Sequence, residues 1–110
     1  MYDQIIALIN QTKTIDESGD TIHTESSREI FAEQLSVGMK EFYMAASPGL
    51  KPEKKFRIAD YLDYEGEEYL EHEGKRYKIL RTYRTESNEL EITVYGGINR
   101  GSSKVSDSNQ

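Results

Sequence analysis

Apolar and polar residues alternate through the second half of the chain. The segment "FRIADYLDY" (residues 56–64) has a period of two with one polar break, and this pattern predicts a strand. The segment "EEYLEHEGKRYKILRTYR" (residues 67–84) predicts two strands joined at Glu73-Gly74, because glycine can take the positive φ that a tight hairpin needs.

A last strand is predicted in "ELEITVYGG", where Leu90, Ile92 and Val94 share one face and Gly96-Gly97 ends the strand. The polar "TESN" before it predicts a turn. Together these segments predict a meander of about four strands over residues 54–96, which must be antiparallel because the connections are too short for parallel crossovers.

The first half of the chain also favours strands. "DQIIALINQTKTI" could begin as a helix, but its Ile and Thr content and the "DESGD" turn that follows favour a strand. The next segment, "TIHTESSREIFAEQLSV", is strand-like from Ile22 to Thr24 and again from Arg28 to Val37. We expect a bulge or bend between these two parts, at Ser26-Ser27.

The middle of the chain departs from the strand pattern. Apolar residues at positions i, i+3, i+4 and i+7 predict a two-turn helix from about Gly38 to Ala46, with Met39, Phe42 and Tyr43 anchoring it to the sheet. A loop with two prolines and three lysines follows, and loops held by a rigid scaffold often form binding surfaces. The candidate interaction residues of this loop are Ser47, Pro48, Gly49, Leu50, Lys51, Pro52, Lys54 and Lys55.

Composition limits the possible functions. A chain of 110 residues with 35% hydrophobic residues predicts one domain with a thin core, to which its eight tyrosines contribute. It contains no cysteine, no apolar run long enough to span a membrane and no segment that resembles a signal peptide, so we expect a soluble intracellular protein. The net charge of −6 disfavours generic binding to nucleic-acid phosphates, although an acidic surface around DNA could let it slide.

The sequence gives no reason to predict an enzyme. His23 and His72 are far apart in sequence, and we expect each to lie at the surface or at a hairpin edge. Carboxylate pairs such as Glu67 and Glu68 occur in charge-rich turns, and no phosphate-binding loop or nucleophile elbow is present. We therefore expect no catalytic residue, no metal site and no cofactor.

Four segments carry a resemblance to a known family. The run "REIFAEQLSVGMKEFYMA", then "FRIADYLDY", "EHEGKRYKILRTYR" and "LEITVYGG", resembles the head closure, or head–tail joining, family of tailed bacteriophages and prophages, also called the stopper. The resemblance spans about residues 1–97. It implies a small antiparallel β-barrel domain with one short inserted helix, and we expect residues 98–110 to form a flexible, Ser-rich tail.

The resemblance also implies a function and partners. Head closure proteins are structural virion proteins that form a ring in the neck, between the portal-bound adaptor and the tail, after assembly in the host cytoplasm. The resemblance thus implies contacts with an adaptor on the portal side, with a tail protein and with copies of the same chain. Packaged double-stranded DNA would pass through the channel without sequence-specific binding.

Two alternatives remain open at this stage. The first is a neighbouring neck or tail-completion protein, since such proteins share small β-rich folds and ring symmetry. The second is a small β-barrel that binds nucleic acid, in which several tyrosines could stack on bases. The candidate stacking residues are Tyr61, Tyr69, Tyr77 and Tyr83.

Overall fold

Six antiparallel strands make up most of the described part of the chain. The computed structural model describes residues 1–38 and 51–99. Its elements are β1 (Gln4–Ile15), β2 (Thr21–Leu35), β3 (Lys54–Ile58), a 3-10 helix (Tyr61–Asp63), β4 (Tyr69–His72), β5 (Lys75–Arg84) and β6 (Leu90–Asn99). The prediction of a mainly β, antiparallel fold is confirmed.

The sheet closes on itself in the order β1-β2-β3-β6-β5-β4. Three of the neighbouring pairs are hairpins of consecutive strands, while β2 with β3, β3 with β6 and β1 with β4 are joined across longer connections. The β1–β4 pairing that completes the ring is short and joins Ala7–Ile9 to Tyr69–Glu71. Every strand therefore has two neighbours over part of its length.

The core lies inside this ring and is built by the alternation of each strand. The inward side chains of β6 are Leu90, Ile92 and Val94, as the sequence predicts. The other members of the buried cluster are Ile6, Leu8, Ala32, Phe56, Ile58, Leu70 and Tyr77.

Two tight turns follow from local sequence. Between β4 and β5, Glu73 and Gly74 both have positive φ, 53° and 81°, as a two-residue hairpin turn requires. Between β1 and β2, the side chain of Asp16 accepts hydrogen bonds from the amides of Ser18 and Asp20, each at 2.9 Å. Such a side-chain acceptor stabilises a turn by replacing a backbone partner.

The strands differ from the predictions in three ways. The expected bulge at Ser26-Ser27 is absent, because β2 stays in register with β1 from Thr21 to Ala32. The strand predicted over residues 56–64 ends at Ile58, since the Asp60 side chain accepts a hydrogen bond from the Leu62 amide and starts the 3-10 helix.

The third difference concerns the end of the domain. Strand β6 continues through Gly96-Gly97, and Ile98 and Asn99 still pair with β5. The predicted tail therefore begins no earlier than residue 100, and residues 100–110 lie outside the described residues. The predicted helix, with Met39, Phe42 and Tyr43, lies outside them too.

Candidate interaction surfaces

The residues of the predicted cationic loop divide into two groups. Ser47, Pro48, Gly49 and Leu50 lie outside the described residues, so the structure does not test them. Lys51 is exposed and Pro52 is buried, immediately before β3.

Lys54 and Lys55 are in β3, and the prediction that they belong to a loop is wrong. They pair with Val94 and Thr93 of β6, because the alternation that places Phe56 and Ile58 inside continues backwards to residue 54. The ammonium of Lys55 lies on the outer face, 3.2 Å from a carboxylate oxygen of Glu91.

Lys54 points towards one end of the closed sheet, where it meets a buried histidine. Its Nζ lies 3.0 Å from Nδ1 of His72, and the other ring nitrogen, Nε2, lies 2.8 Å from Oε1 of Gln4. The same Nζ lies 5.4 Å from the ring centre of Tyr77, and the ring of Phe56 packs edge-on against the imidazole at 4.8 Å. Lys54, His72 and Gln4 therefore cover one end of the core, and their polar side chains are hydrogen-bonded to one another.

The histidine of this cluster is held neutral. His23 is exposed in β2, as expected. His72 lies at a hairpin edge, as expected, because it ends β4 beside the Glu73-Gly74 turn, but its side chain is only 2% exposed, and this burial was not predicted. Burial lowers the pKa of His72, the adjacent Lys54 ammonium lowers it further, and the exposed Glu73 carboxylate opposes them. A neutral ring that donates from Nε2 to Gln4 and accepts from Lys54 at Nδ1 satisfies both contacts.

His72 should make the fold sensitive to mild acid. Because its folded pKa lies below the ordinary value of 6.5, the unfolded chain takes up the proton first, and stability falls as pH drops below that value. We expect His72→Gln to remove this component, which cannot exceed about 1.4 kcal/mol per pH unit. Urea unfolding of both proteins at pH 7.5 and 5.5 measures it; an equal loss in both would contradict the assignment.

The opposite end of the closed sheet is covered by the segment between β3 and β4. Glu67, only 5% exposed, accepts hydrogen bonds from Arg28 at 2.7 and 3.3 Å and from the Glu65 amide at 2.8 Å. Burial by itself raises the pKa of Glu67, but these hydrogen bonds and the Arg28 charge hold it below its usual range. Arg28 also donates to the backbone carbonyl of Asp63, so one side chain ties β2 to this segment.

Neither end of the sheet resembles a metal site. Within residues 1–38 and 51–99, no group of three or more His, Asp or Glu side chains is arranged to hold a metal ion. The carboxylate of Glu67 already accepts hydrogen bonds from Arg28, and its sequence neighbour Glu68 is exposed. No helix in the described part of the chain is long and apolar enough to cross a membrane.

The outer wall of β2, β3 and β6 carries a network of paired charges. Arg57 contacts Glu33 at 3.1 Å, Glu91 at 3.6 Å and Glu89 at 3.9 Å, and the N-terminal ammonium contacts Glu33 at 2.9 Å. With the Lys55–Glu91 pair, these contacts neutralise the positive charges of this wall locally. Among residues 1–38 and 51–99, this wall therefore has no excess of cations with which to bind phosphate.

The β1–β2 hairpin extends beyond the closed sheet. Strand β1 pairs with β4 only as far as Ile9, and β2 pairs with β3 only from Glu33 onwards. Residues 10–15 and 21–26 pair with one another alone, and with the turn between them they form what we call the arm, residues 10–26. Six residue pairs correspond to a length of about 20 Å.

One buried arginine fixes the base of the arm. The guanidinium of Arg76 donates to both carboxylate oxygens of Glu25, at 2.8 and 3.0 Å, and to Glu71 at 2.9 Å. It also lies 5.7 Å from the ring centre of Tyr69. Sequence reasoning missed this contact, since Glu25 and Arg76 are 51 residues apart and no short motif connects them.

The tyrosines proposed as stacking residues do not form one platform. Tyr77 is fully buried in the core, and Tyr61 packs against the core beneath the guanidinium of Arg84, which lies 3.8 Å from its ring centre. Tyr69 is half-buried beside Arg76, whereas Tyr83 is 62% exposed. This distribution does not favour the stacking hypothesis.

An apolar pair is exposed on the wall formed by β1 and β2. Ile5 and Phe31 are directly opposite each other in the register and are 53% and 64% exposed. Exposed apolar pairs of this kind are common at sites of protein contact.

Comparison with known proteins adds no assignment. The chain matches no family model and no curated protein sequence.

Proposed function

We propose that this chain is a structural ring subunit of the connector between the head and tail of a tailed bacteriophage or prophage. In this role, copies of the chain close the DNA-filled head and form the surface on which the tail docks. Its partners would be an adaptor on the portal side, a tail protein and neighbouring copies of itself. The proposal joins the sequence resemblance to the architecture of the described residues.

The observation that carries the proposal is the closed sheet with a projecting arm. A closed sheet is a rigid body with few open edges, which suits a subunit that must pack repeatedly in a ring. The arm adds a contact element about 20 Å long that is largely separate from this body. The closed sheet also fits the β-barrel that the resemblance implies.

Each subunit has an exposed apolar surface and an exposed acidic surface, and two different surfaces suit a ring better than a two-fold symmetric dimer. A ring needs two different faces on each subunit, one of which binds the other on the next copy. Here the exposed Ile5–Phe31 pair lies on the β1–β2 wall, whereas the arm ends in the acidic turn at residues 16–20. These surfaces differ from each other in charge and in polarity.

The charge distribution agrees with a channel in which DNA moves without strong binding. Lys54 and Lys55 face His72 and Glu91, and Arg57 faces three glutamates. A chain with a net charge of −6 and such paired cations would hold a DNA backbone weakly. Of the predicted loop lysines in the described residues, Lys51 is the exposed one.

Genetic removal of the chain tests this function directly. We expect an early stop codon in its gene, in the phage that encodes it, to yield heads that package DNA but then lose it and fail to join tails. Electron microscopy and nuclease sensitivity of the packaged DNA measure both effects. Supplying the intact chain from a plasmid should restore infectious particles.

Two results would argue against the proposal. Normal infectious yield without the chain would exclude an essential connector role. Filled, stable heads without tails, with the labelled chain found at the tail end and not in the neck, would favour the tail-completion alternative.

A further inference from the structure

We infer that the acidic tip of the arm of one copy docks on the β5 face of the next copy. The tip is the turn at residues 16–20, and the β5 face is the outer surface around Lys78, Arg81 and Tyr83. This inference rests on the proposed function, because it names the contact by which such subunits would assemble. Its occupant is a second copy of this chain.

The arm lacks the support that a stable two-stranded hairpin needs. Residues 10–15 and 21–26 have no third strand beside them within the described chain, and Ile15 and Ile22 are 74% and 44% exposed. Their register positions place these two isoleucines on opposite faces of the arm. An isolated two-stranded hairpin is marginal in water, so a neighbouring molecule that covers the arm would stabilise it.

The tip is strongly acidic and prepared for contact. The carboxylate of Asp16 is used inside the turn, where it holds the amides of Ser18 and Asp20. Glu17 and Asp20 are exposed on the same turn. A rigid turn that presents two carboxylates loses little conformational entropy when it binds.

The β5 face offers the opposite charge on the same chain. Strand β5 contains five of the chain's cations and no acidic residue. Arg76 holds the base of the arm, while Lys78, Arg81 and Tyr83 are exposed farther along the strand.

The tip and the β5 face are different surfaces, so their contact is directional. Each copy would give one tip and receive one, which is the head-to-tail arrangement that closes into rings. The contact involves a few exposed charges and one tyrosine, so the isolated chain should associate only weakly. Assembly on a preceding ring would raise the effective concentration of neighbouring copies.

Crosslinking between two single-cysteine variants tests the contact, because the chain contains no cysteine of its own. One variant carries Ser18→Cys in the tip, and the other carries Tyr83→Cys, an exposed position on the same face of β5 as Arg81. We expect the mixed disulfide dimer to form about tenfold faster than with a control variant at low salt, and the advantage to shrink as salt rises. The control is Gln34→Cys, an exposed neutral position on β2, the strand opposite β5 in the closed sheet.

Reversing the charges of the tip and of the β5 face distinguishes specific docking from crosslinking by random collision. Glu17→Lys with Asp20→Lys, or Lys78→Glu with Arg81→Glu, should each remove the crosslinking advantage. A chain carrying all four substitutions should recover it, since the tip and the face then have reversed but complementary charges. Equal crosslinking with the control variant, or no recovery in the fourfold variant, would overturn the inference.

The same variants separate this inference from the proposed function and from DNA binding. If the crosslink forms but removal of the gene leaves phage assembly normal, the contact stands and the connector role fails. If connectors assemble normally with the β5 face reversed, the role stands and this contact fails. If Lys78→Glu with Arg81→Glu abolishes binding to double-stranded DNA while crosslinking is unchanged, the face binds phosphate and the inference is wrong.

Discussion

Replacing Arg28 with methionine is expected to lower the free energy of unfolding by about 2–4 kcal/mol at pH 7. The substitution removes the guanidinium that pairs with the carboxylate of Glu67, whose side chain is only 6% exposed. It also removes the hydrogen bond from Arg28 to the Asp63 carbonyl. An unpaired buried carboxylate is costly because it has lost its hydration without gaining a compensating charge. Arg28 itself is 37% exposed, and water entering its place limits the loss.

The pH dependence of this loss identifies its cause. In the natural chain, Glu67 has a lowered folded pKa, so its stabilising contribution is present above the ordinary value of 4.5 and is lost as pH falls. In Arg28→Met, burial dominates and should raise the folded pKa above the unfolded value. The variant should therefore regain stability relative to the natural chain as pH drops from 7 to 5.

A second substitution provides the control. Glu67→Gln in the Arg28→Met background cannot ionise but keeps an oxygen that can accept from the Glu65 amide. Most of the lost free energy should return at pH 7, and the pH dependence of the difference should disappear. Urea unfolding curves of the three proteins at several pH values measure both effects. A loss that is unchanged by pH and by the second substitution would show that lost packing of Arg28 is the cause.

The strands of the second half were the most accessible part of the fold from sequence. The alternation around Leu90, Ile92 and Val94 and the Glu73-Gly74 turn are local signals, and the structure confirms both. Local patterns do not show which strands become neighbours. The pairing of β1 with β4 and of β3 with β6 depends on side chains that meet only when the ring closes.

The misplaced residues share one physical cause. Lys54 was expected in a loop and His72 at the surface or a hairpin edge, yet the two side chains meet near one end of the closed sheet, where each has a partner from another strand. Polar groups are stable there because each is hydrogen-bonded, and such pairs join residues far apart in sequence. The prediction that tyrosines contribute to the core is confirmed only in part, since Tyr77 alone among the described tyrosines is fully buried, while Tyr61 and Tyr64 pack against the core.

Adjacent glycines near the end of β6 should respond to substitution in opposite ways. Gly97 packs against the ring of Tyr77, so a Cβ built there would lie 2.5 and 2.8 Å from two ring carbons. Tyr77 is 1% exposed and cannot move aside without disturbing the core. We expect Gly97→Ala to destabilise the fold by about 1–3 kcal/mol, as overpacking does, and Gly97→Asn to cost at least as much.

Gly96 is constrained by its backbone instead of by space. Its φ is +67°, and no atom lies within 4 Å of a Cβ built there. Gly96→Ala should cost about 1 kcal/mol, whereas Gly96→Asn should cost less, since asparagine adopts this left-handed conformation more readily. The order of alanine and asparagine should therefore reverse between the two positions. Thermal or urea unfolding of the four variants measures this order, and the same ranking at both glycines would contradict the close contact with Tyr77.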